Sequence, residues 1–148
     1  MPSPLAEFVI DTSVVVKWYV EREEPDLGRA RFLLDSFGDG RCILRAPQLL
    51  TIELANVLTA SRRLPESMIH EALDHLAGLK IDWKPFSWDT LARAVEIARA
   101  CNATVYDAYF LAVAHDAGGT LVTADEGFLE KARGYPRITS LSQLKLPV

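Results

Sequence analysis

Phe8-Val-Ile-Asp-Thr-Ser13 is a short apolar run that ends in an acid and two hydroxyl side chains. A run of this length between turn signals is typical of a strand buried on both faces of a parallel sheet. Four further short runs follow it along the chain, and longer stretches of helical periodicity separate them. This alternation predicts an α/β fold built on a five-stranded parallel sheet.

The predicted elements alternate along the whole chain. The strands are Phe8–Asp11, Cys42–Ala46, Ile81–Lys84, Thr120–Thr123 and Arg137–Thr139. The helices are Val14–Val20, Asp26–Phe37, Pro47–Ser61, Pro65–Leu79, Trp88–Cys101, Val105–Ala117 and Gly127–Arg133. Pro47 and Pro65 are expected in first helical turns, where a missing N–H costs nothing.

Length and composition indicate an ordinary globular chain. Its 148 residues are 49% hydrophobic and 24% charged, so we expect one domain spanning residues 1–148. The apolar run Ala108–Ala114 is too short to cross a bilayer, and no basic region precedes the first apolar stretch, so a cytoplasmic protein without membrane contact is expected. Cys42 and Cys101 lack zinc-site spacing and are expected in the core.

Acidic residues follow two of the predicted strands. Asp11 ends the first strand, and Asp125 comes two residues after the fourth. Parallel sheets bind ligands at the carboxyl ends of their strands, so both acids should lie at that edge. Taken singly, Asp11, Ser13 and Asp125 could instead be helix N-caps, and Thr104 with Asp107 has the spacing of a capping box.

Glu53 and Asp107 fit a purely structural interpretation less well. Glu53 falls inside an apolar helix stripe that we assign to Leu49, Leu50, Leu54, Val57 and Leu58. Asp107 is the single charge in Val105–Ala114, a stretch apolar enough to be buried against the sheet. Neither acid has a lysine or arginine within one helical turn, and an unpaired buried charge costs several kcal/mol.

The predicted topology brings these four acids together in one cleft. Clustered carboxylate oxygens are the ligands that Mg²⁺ or Mn²⁺ prefers. The sequence therefore predicts a divalent-cation site, although the number of ions stays open. The net charge of −4 and pI of about 5.4 argue mildly against a nucleic-acid partner, unless cations neutralise the acids of this site.

Around these four acids the chain resembles the PIN domain family and, within it, the VapC toxins. The resemblance covers nearly the whole chain. It is carried by Phe8-Val-Ile-Asp11-Thr-Ser, Glu53-Leu-Ala-Asn-Val-Leu58, Thr104-Val-Tyr-Asp107-Ala-Tyr-Phe-Leu-Ala and Leu121-Val-Thr-Ala-Asp125-Glu-Gly-Phe128, in that order. It implies a three-layer α/β/α sandwich and a divalent-metal-dependent endoribonuclease that cleaves single-stranded regions of RNA.

The resemblance also assigns residues and partners. The catalytic and metal-binding acids would be Asp11, Glu53, Asp107 and Asp125, with Asp11 and Asp107 tied most directly to the metal. Supporting hydroxyls would be Thr12, Ser13 and Thr123. The implied partners are RNA, a VapB-type antitoxin protein and a second copy of the chain in a homodimer.

Two surfaces are hypotheses from the residues alone. Trp18 and Tyr19, near Glu21, Glu23 and Glu24, are either core residues or part of an antitoxin groove. The basic side chains that could follow an RNA backbone are Arg41, Arg45, Arg62, Arg63, Arg93, Arg99, Lys131 and Arg133.

Other functional classes fit less well. The chain lacks G-x-G-x-x-G and G-x-x-x-x-G-K-[ST], which dinucleotide-binding and P-loop proteins require. A receiver domain would need an acidic pair after the first strand and a lysine after the last. The open alternatives are a non-catalytic PIN scaffold and a PIN-like nuclease that acts on structured DNA.

Overall fold

The computed structural model describes residues 3–20 and 23–146. Its strands are β1 (Ala6–Ile10), β2 (Cys42–Pro47), β3 (Asp82–Lys84), β4 (Thr120–Thr123) and β5 (Ile138–Ser140). They form one sheet in the order β3-β2-β1-β4-β5, and each neighbouring pair is parallel. The five-stranded parallel sheet predicted from the sequence is confirmed.

Helices connect the strands. They are α1 (Thr12–Tyr19), α2 (Leu27–Gly38), α3 (Leu49–Ala60), α4 (Glu66–Gly78), α5 (Trp88–Cys101), α6 (Val105–Ala117) and α7 (Glu126–Lys131), and a 3₁₀ turn at Leu141–Gln143 follows β5. From β1 to β3 successive strands are added toward one edge of the sheet, and from β3 onward the chain crosses back and adds β4 and β5 toward the other edge. Because such crossovers are right-handed, α1 to α4 cover one face and α5 to α7 the opposite face.

The core lies on both faces of the sheet. All residues from Ala108 to Ala114 are buried, so α6 is enclosed on all sides, as its sequence predicts. Helix α6 packs on β1, β2 and β4, while α1 packs on β4 and α2 on β2 across the sheet. Cys42 and Cys101 are buried free thiols, which agrees with their expected place in the core.

The structure corrects several boundaries. Pro47 is the last residue of β2 and Pro65 is the N-cap of α4, so neither lies in a first helical turn. The buried residues of α3 are every fourth one, Leu50, Leu54 and Leu58, so its apolar stripe is narrower than predicted. Val57, assigned to the stripe by the sequence pattern, is 43% exposed.

The longest of the described helices is α5, with 14 residues. Within residues 3–20 and 23–146, none combines the length and the apolar character that crossing a bilayer requires.

Candidate active site

The four predicted acids come from four different parts of the fold. Strand β1 continues into α1 on one face of the sheet and its neighbour β4 continues into α7 on the opposite face, and α/β proteins form ligand crevices at such a switch point. Asp11 immediately follows β1, and Asp125 follows β4. Glu53 lies on α3, and Asp107 lies in the first turn of α6.

Hydroxyl groups hold the Asp11 carboxylate. Asp11 is 9% exposed. Ser13 Oγ donates to Asp11 Oδ2 at 2.6 Å, and Thr123 Oγ1 donates to the same oxygen at 2.9 Å. Each hydroxyl in turn accepts a backbone N–H, from Ala124 at 2.9 Å and from Asp125 at 3.0 Å. This network fixes the rotation of the carboxylate and ties β1 to the end of β4.

Glu53 has a hydroxyl partner of its own. Thr12 Oγ1 donates to Glu53 Oε1 at 2.7 Å, which joins the start of α1 to the middle of α3. The three hydroxyl residues expected to support the site, Thr12, Ser13 and Thr123, therefore all bond to one of its acids.

The structure shows which of the candidate N-cap residues cap a helix with their side chains. Asp125 is an N-cap, because its Oδ1 accepts the Phe128 N–H at 3.0 Å. Thr104 caps α6 by accepting the Asp107 N–H at 3.1 Å. Asp11 occupies the N-cap position of α1 but makes no side-chain cap hydrogen bond, so its carboxylate serves the hydroxyl network instead.

Burial and mutual repulsion hold three of the acids above their ordinary pKa. The pKa of Asp11 is raised by burial and by the charge of Asp125, although hydrogen bonds from Ser13 and Thr123 oppose the rise. Burial and the charges of Asp11 and Asp107 raise the pKa of Glu53. The pKa of Asp107 is likewise raised by burial and by Asp11 and Asp125. These couplings link the four acids in one electrostatic cluster.

Sequence and structure comparisons place this cluster in a known family. The family model of the PIN domain matches residues 8–134, which is most of the chain. The chain belongs to the PIN domain family. Proteins of this family are nucleases, and the matched residues include all four acids. No curated protein matches the chain in sequence.

Solved structures with the PIN fold are similar over almost their full length. PAE2754 from Pyrobaculum aerophilum has a TM-score of 0.65 and 23% identity, covering 93% of this chain and 90% of that one. A toxin–antitoxin complex from Klebsiella pneumoniae has a TM-score of 0.64 and 16% identity, covering 90% and 96%. VapC20 from Mycobacterium tuberculosis, a toxin that cleaves the sarcin–ricin loop, has a TM-score of 0.66 and 17% identity, covering 88% and 97%. At these identities the likeness establishes the fold.

The acids of this PIN domain suit a hard divalent cation. They offer carboxylate oxygens, and the raised pKa values of Asp11, Glu53 and Asp107 show that the charged forms of these three are disfavoured without a cation. Among the side chains that the structure describes, no three of His, Cys, Asp or Glu are gathered closely enough to hold an ion together. That arrangement is compatible with Mg²⁺, which often takes one or two carboxylates and completes its shell with water and substrate phosphate.

Two residues near the PIN site have effects on its acids that their sequence positions do not predict. Lys131, at the end of α7, lowers the pKa of Asp107 by its positive charge and is thus the basic candidate linked electrostatically to the acids. A Cβ at Gly127 would lie 3.2 Å from Asp125 Oδ1, so glycine keeps space beside that carboxylate. Neither effect is visible in a linear motif, because each depends on how α7 turns after β4.

Arg45, predicted as one of the basic side chains that could follow an RNA backbone, has a different role in the structure. Its guanidinium bonds to Glu7 at 3.1 Å and to Asp82 at 2.9 Å, and its side chain is only 15% exposed. Arg45 therefore joins neighbouring strands and is not available to a phosphate. Arg93 and Arg133 are also ion-paired, with Asp116 and Glu130 respectively.

The raised pKa values predict how metal-free stability depends on pH. For Asp11, Glu53 and Asp107, a folded-state pKa above the ordinary value means that the folded protein binds more protons than the unfolded chain in the interval between the two values. Their contribution is fully present below the ordinary pKa and is lost as pH rises through the raised one. The site should therefore favour folding more at pH 5 than at pH 7.5 in EDTA.

The measurement is urea unfolding of wild type and Asp11→Asn at both pH values. His115, whose pKa is lowered by burial, opposes the trend by destabilising the fold below its ordinary pKa of 6.5, but it is common to both proteins. Glu7 and Asp82 have lowered pKa values, so their contribution is lost only in more acidic solution. We expect wild type to gain more, or lose less, stability than Asp11→Asn on acidification; equal changes would contradict the coupling.

Proposed function

We propose that this chain, as one PIN domain, is a divalent-metal-dependent endoribonuclease and the VapC-type toxin of a toxin–antitoxin pair. Its reaction is hydrolysis of phosphodiester bonds in single-stranded regions of cytoplasmic RNA. The observation that carries the proposal is the cluster of four coupled acids at the switch point of a PIN fold. Burial and the charges of neighbouring acids hold Asp11, Glu53 and Asp107 above their ordinary pKa, and carboxylates perturbed in this way are concentrated at functional sites.

The proposed cofactor is Mg²⁺ or Mn²⁺. Asp11 and Asp107 are its proposed ligands, and Glu53 and Asp125 complete the acidic cluster. When bound, the cation supplies a lower pKa for an attacking water and compensates charge at the phosphate. Ser13 and Thr123 hold the Asp11 carboxylate in one orientation, and Thr12 does the same for Glu53. Lys131 adds positive charge where an RNA phosphate must approach this acidic cleft.

The test is incubation of the purified protein with mixed single-stranded RNA and, in parallel, with DNA flaps, each in Mn²⁺ and in EDTA. We expect cleavage only with the metal. A non-catalytic scaffold would give identical gels under both conditions. A nuclease specific for structured DNA would cut DNA flaps and leave the RNA intact, so both alternatives are decided in the same experiment.

The proposed antitoxin surface is a groove between α1, α2 and α4. This groove has a volume of about 370 Å³, and its wall includes Tyr19, Arg31, Leu64, Met68 and His75. Tyr19 lines it, and its hydroxyl bonds to His75 Nδ1 at 2.7 Å.

The acidic and aromatic residues named beside this surface have separate roles. Trp18 is buried and donates to the Ala30 carbonyl at 2.9 Å, so its core interpretation is confirmed and it supports the groove from below. Glu24 is ion-paired with Lys17. Glu23 lies in the segment before α2, and Glu21 lies outside the described residues.

Met68→Glu should weaken antitoxin binding by at least about tenfold, because it places a charge in the apolar part of the groove. Met68 is 40% exposed, so the fold should tolerate the change. The measurement is a binding titration with the cognate antitoxin. Ile52→Glu, on the exposed side of α3, is the matched control, and equal affinities for the two variants would argue against this groove.

The homodimer is proposed to form through an exposed aromatic patch. Phe86, Trp88 and Tyr106 are each more than half exposed, and Phe86 packs edge-on against Trp88 with ring centroids 4.9 Å apart. Exposed apolar patches of this kind mark protein interfaces. Tyr106 directly precedes Asp107 on α6, so a second copy bound to this patch would lie beside the acidic cleft.

Trp88→Glu should convert the dimer to a monomer, because Trp88 is 76% exposed and a charge in its place would have to be desolvated on association. Sedimentation velocity at micromolar concentration provides the measurement. Phe32→Glu alters an exposed aromatic residue on α2 and should remain dimeric. A wild-type monomer, or a dimer that survives Trp88→Glu, would remove this interface.

A further inference from the structure

A second cavity lies beside the acidic cluster and belongs to neither proposed protein interface. It has a volume of about 380 Å³, is open to solvent and is lined by residues of α7, β5, the loop between them and the 3₁₀ turn that follows β5. That volume is within the range of roughly 300–1,000 Å³ found for small-ligand sites. The cavity is therefore large enough to take a flat heterocyclic ring.

The cavity and the acidic cluster share structural elements. Thr123, which donates to Asp11, is paired in register with Ser140, which lines the cavity. Neighbouring strands lie about 4.8 Å apart, so these two residues are adjacent along the carboxyl edge of the sheet. Asp125 caps α7, and the next residue, Glu126, is part of the cavity wall. A strand of RNA whose phosphate lies at the acids would thus have a neighbouring nucleotide at the cavity.

The lining combines apolar surface with polar groups. Tyr135 and Ile138 are half-buried and provide flat or aliphatic contact area. Ser140 is buried, and its hydroxyl accepts the Gln143 N–H at 3.2 Å, which fixes the turn that carries the Gln143 side chain. Unpaired nucleobases are recognised by this combination, through stacking on aromatic side chains and hydrogen bonds at the base edge.

The charge of the lining selects among possible ligands. Glu126, Glu130 and Arg133 line the cavity, and Glu130 is ion-paired with Arg133 at 2.9 Å, so the lining keeps a net negative charge from Glu126. Carboxylates repel phosphate, so the cavity does not suit the RNA backbone. A carboxylate accepts a hydrogen bond from an exocyclic amino group, such as cytosine N4. Uracil has the keto oxygen O4 at that position, which is an acceptor and cannot donate to the carboxylate.

We propose that this cavity binds one unpaired nucleobase of the RNA substrate, next to the cleaved bond, and selects a base with an exocyclic amino group over uracil. Gln143 and Glu126 are the specificity-determining residues. The Gln143 amide can donate to a ring nitrogen and accept from an amino group, while Glu126 accepts only. The inference rests on the proposed function, since it names the base preference of the same nuclease.

The first experiment uses neutral nucleosides, so that neither metal nor phosphate affects the result. Cytidine and uridine are titrated separately into the protein in EDTA, and amide NMR signals are followed. We expect cytidine to bind at least about tenfold more tightly than uridine, with shifts centred on residues 140–143. Equal affinities, or shifts confined to another surface, would overturn the proposal.

Variants then test the two residues. Gln143→Ala and Glu126→Gln should each reduce the cytidine-to-uridine preference to near unity. Glu96→Gln removes the same charge from an exposed position on α5 and should retain the wild-type preference. A preference that survives both cavity variants would contradict the assignment. All three positions are exposed, so folding should be unaffected.

Sequencing of the ends produced by cleavage of a random RNA pool gives a second readout. Wild type should enrich an amino-bearing base at one fixed position beside the cut, and Gln143→Ala should lose that enrichment. Cleavage with no enrichment would overturn the cavity proposal while leaving the nuclease intact. Selective cytidine binding without any RNA cleavage would instead overturn the proposed function and support the cavity.

Discussion

Asp11→Asn should lower the rate of RNA cleavage in Mn²⁺ by at least about a thousandfold while the protein stays folded. The amide keeps the size of the side chain and can still accept from Ser13 and Thr123, but it loses the charge that a cation requires. Metal ions contribute several kcal/mol to such reactions, and each 1.4 kcal/mol is about tenfold in rate. The measurement is single-turnover cleavage of a labelled single-stranded RNA.

Asp125→Asn is the matched comparison. Its carboxylate already accepts the Phe128 N–H, which the amide oxygen can continue to do, so a smaller loss of about 10–100-fold is expected. Asp107→Asn should resemble Asp11→Asn. Full activity in either of those two variants would refute the proposed site, and a loss in Asp125→Asn as large as that in Asp11→Asn would refute the ranking of the ligands.

Mn²⁺ should raise the melting temperature of wild type by about 5–10 °C when present at a hundred times its dissociation constant. Binding at that level adds about 2.7 kcal/mol to the free energy of unfolding, and a domain of this size gains a few degrees per kcal/mol. The gain arises because a cation offsets the repulsion that raises the pKa values of Asp11, Glu53 and Asp107.

Asp107→Asn should respond only weakly to the metal. Removing one repelling charge should make the variant melt above wild type in EDTA, whereas added Mn²⁺ should change its melting temperature little. Thermal melts of both proteins, with and without metal, provide the comparison. If wild type shows no metal-dependent shift, or if the variant shifts equally, the acids do not form one cation site.

Much of the fold follows from the pattern of the sequence. Short apolar runs predict the inner strands β1, β2 and β4 to within two residues, because inner strands of a parallel sheet are covered by helices on both faces. Asp11 and Asp125 could be placed at one edge because parallel strands share their carboxyl ends. The continuous burial of Ala108–Ala114 likewise follows from a helix that is apolar all round.

The remaining features depend on three-dimensional contacts that a pattern does not specify. The identity of hydrogen-bond partners, such as Thr12 with Glu53, is set by the packing of α1 on α3. Arg45 could not be distinguished from a surface arginine, because its acidic partners are remote in sequence and meet it only through strand register. The cavity at Ser140 forms between elements that have no shared motif.

The hydrogen bond from Thr123 to Asp11 joins residues 112 positions apart in the chain. Ribosomes add about 5–20 residues per second, so roughly 6–20 s separate the synthesis of the two partners. Throughout that time the nascent chain lacks both Thr123 and Asp125 and has no complete catalytic centre. The residues that line the proposed antitoxin groove, between Trp18 and His75, are already synthesised by then. Under the proposed function, the residues that bind the inhibitor are therefore made before the acidic cluster can be completed.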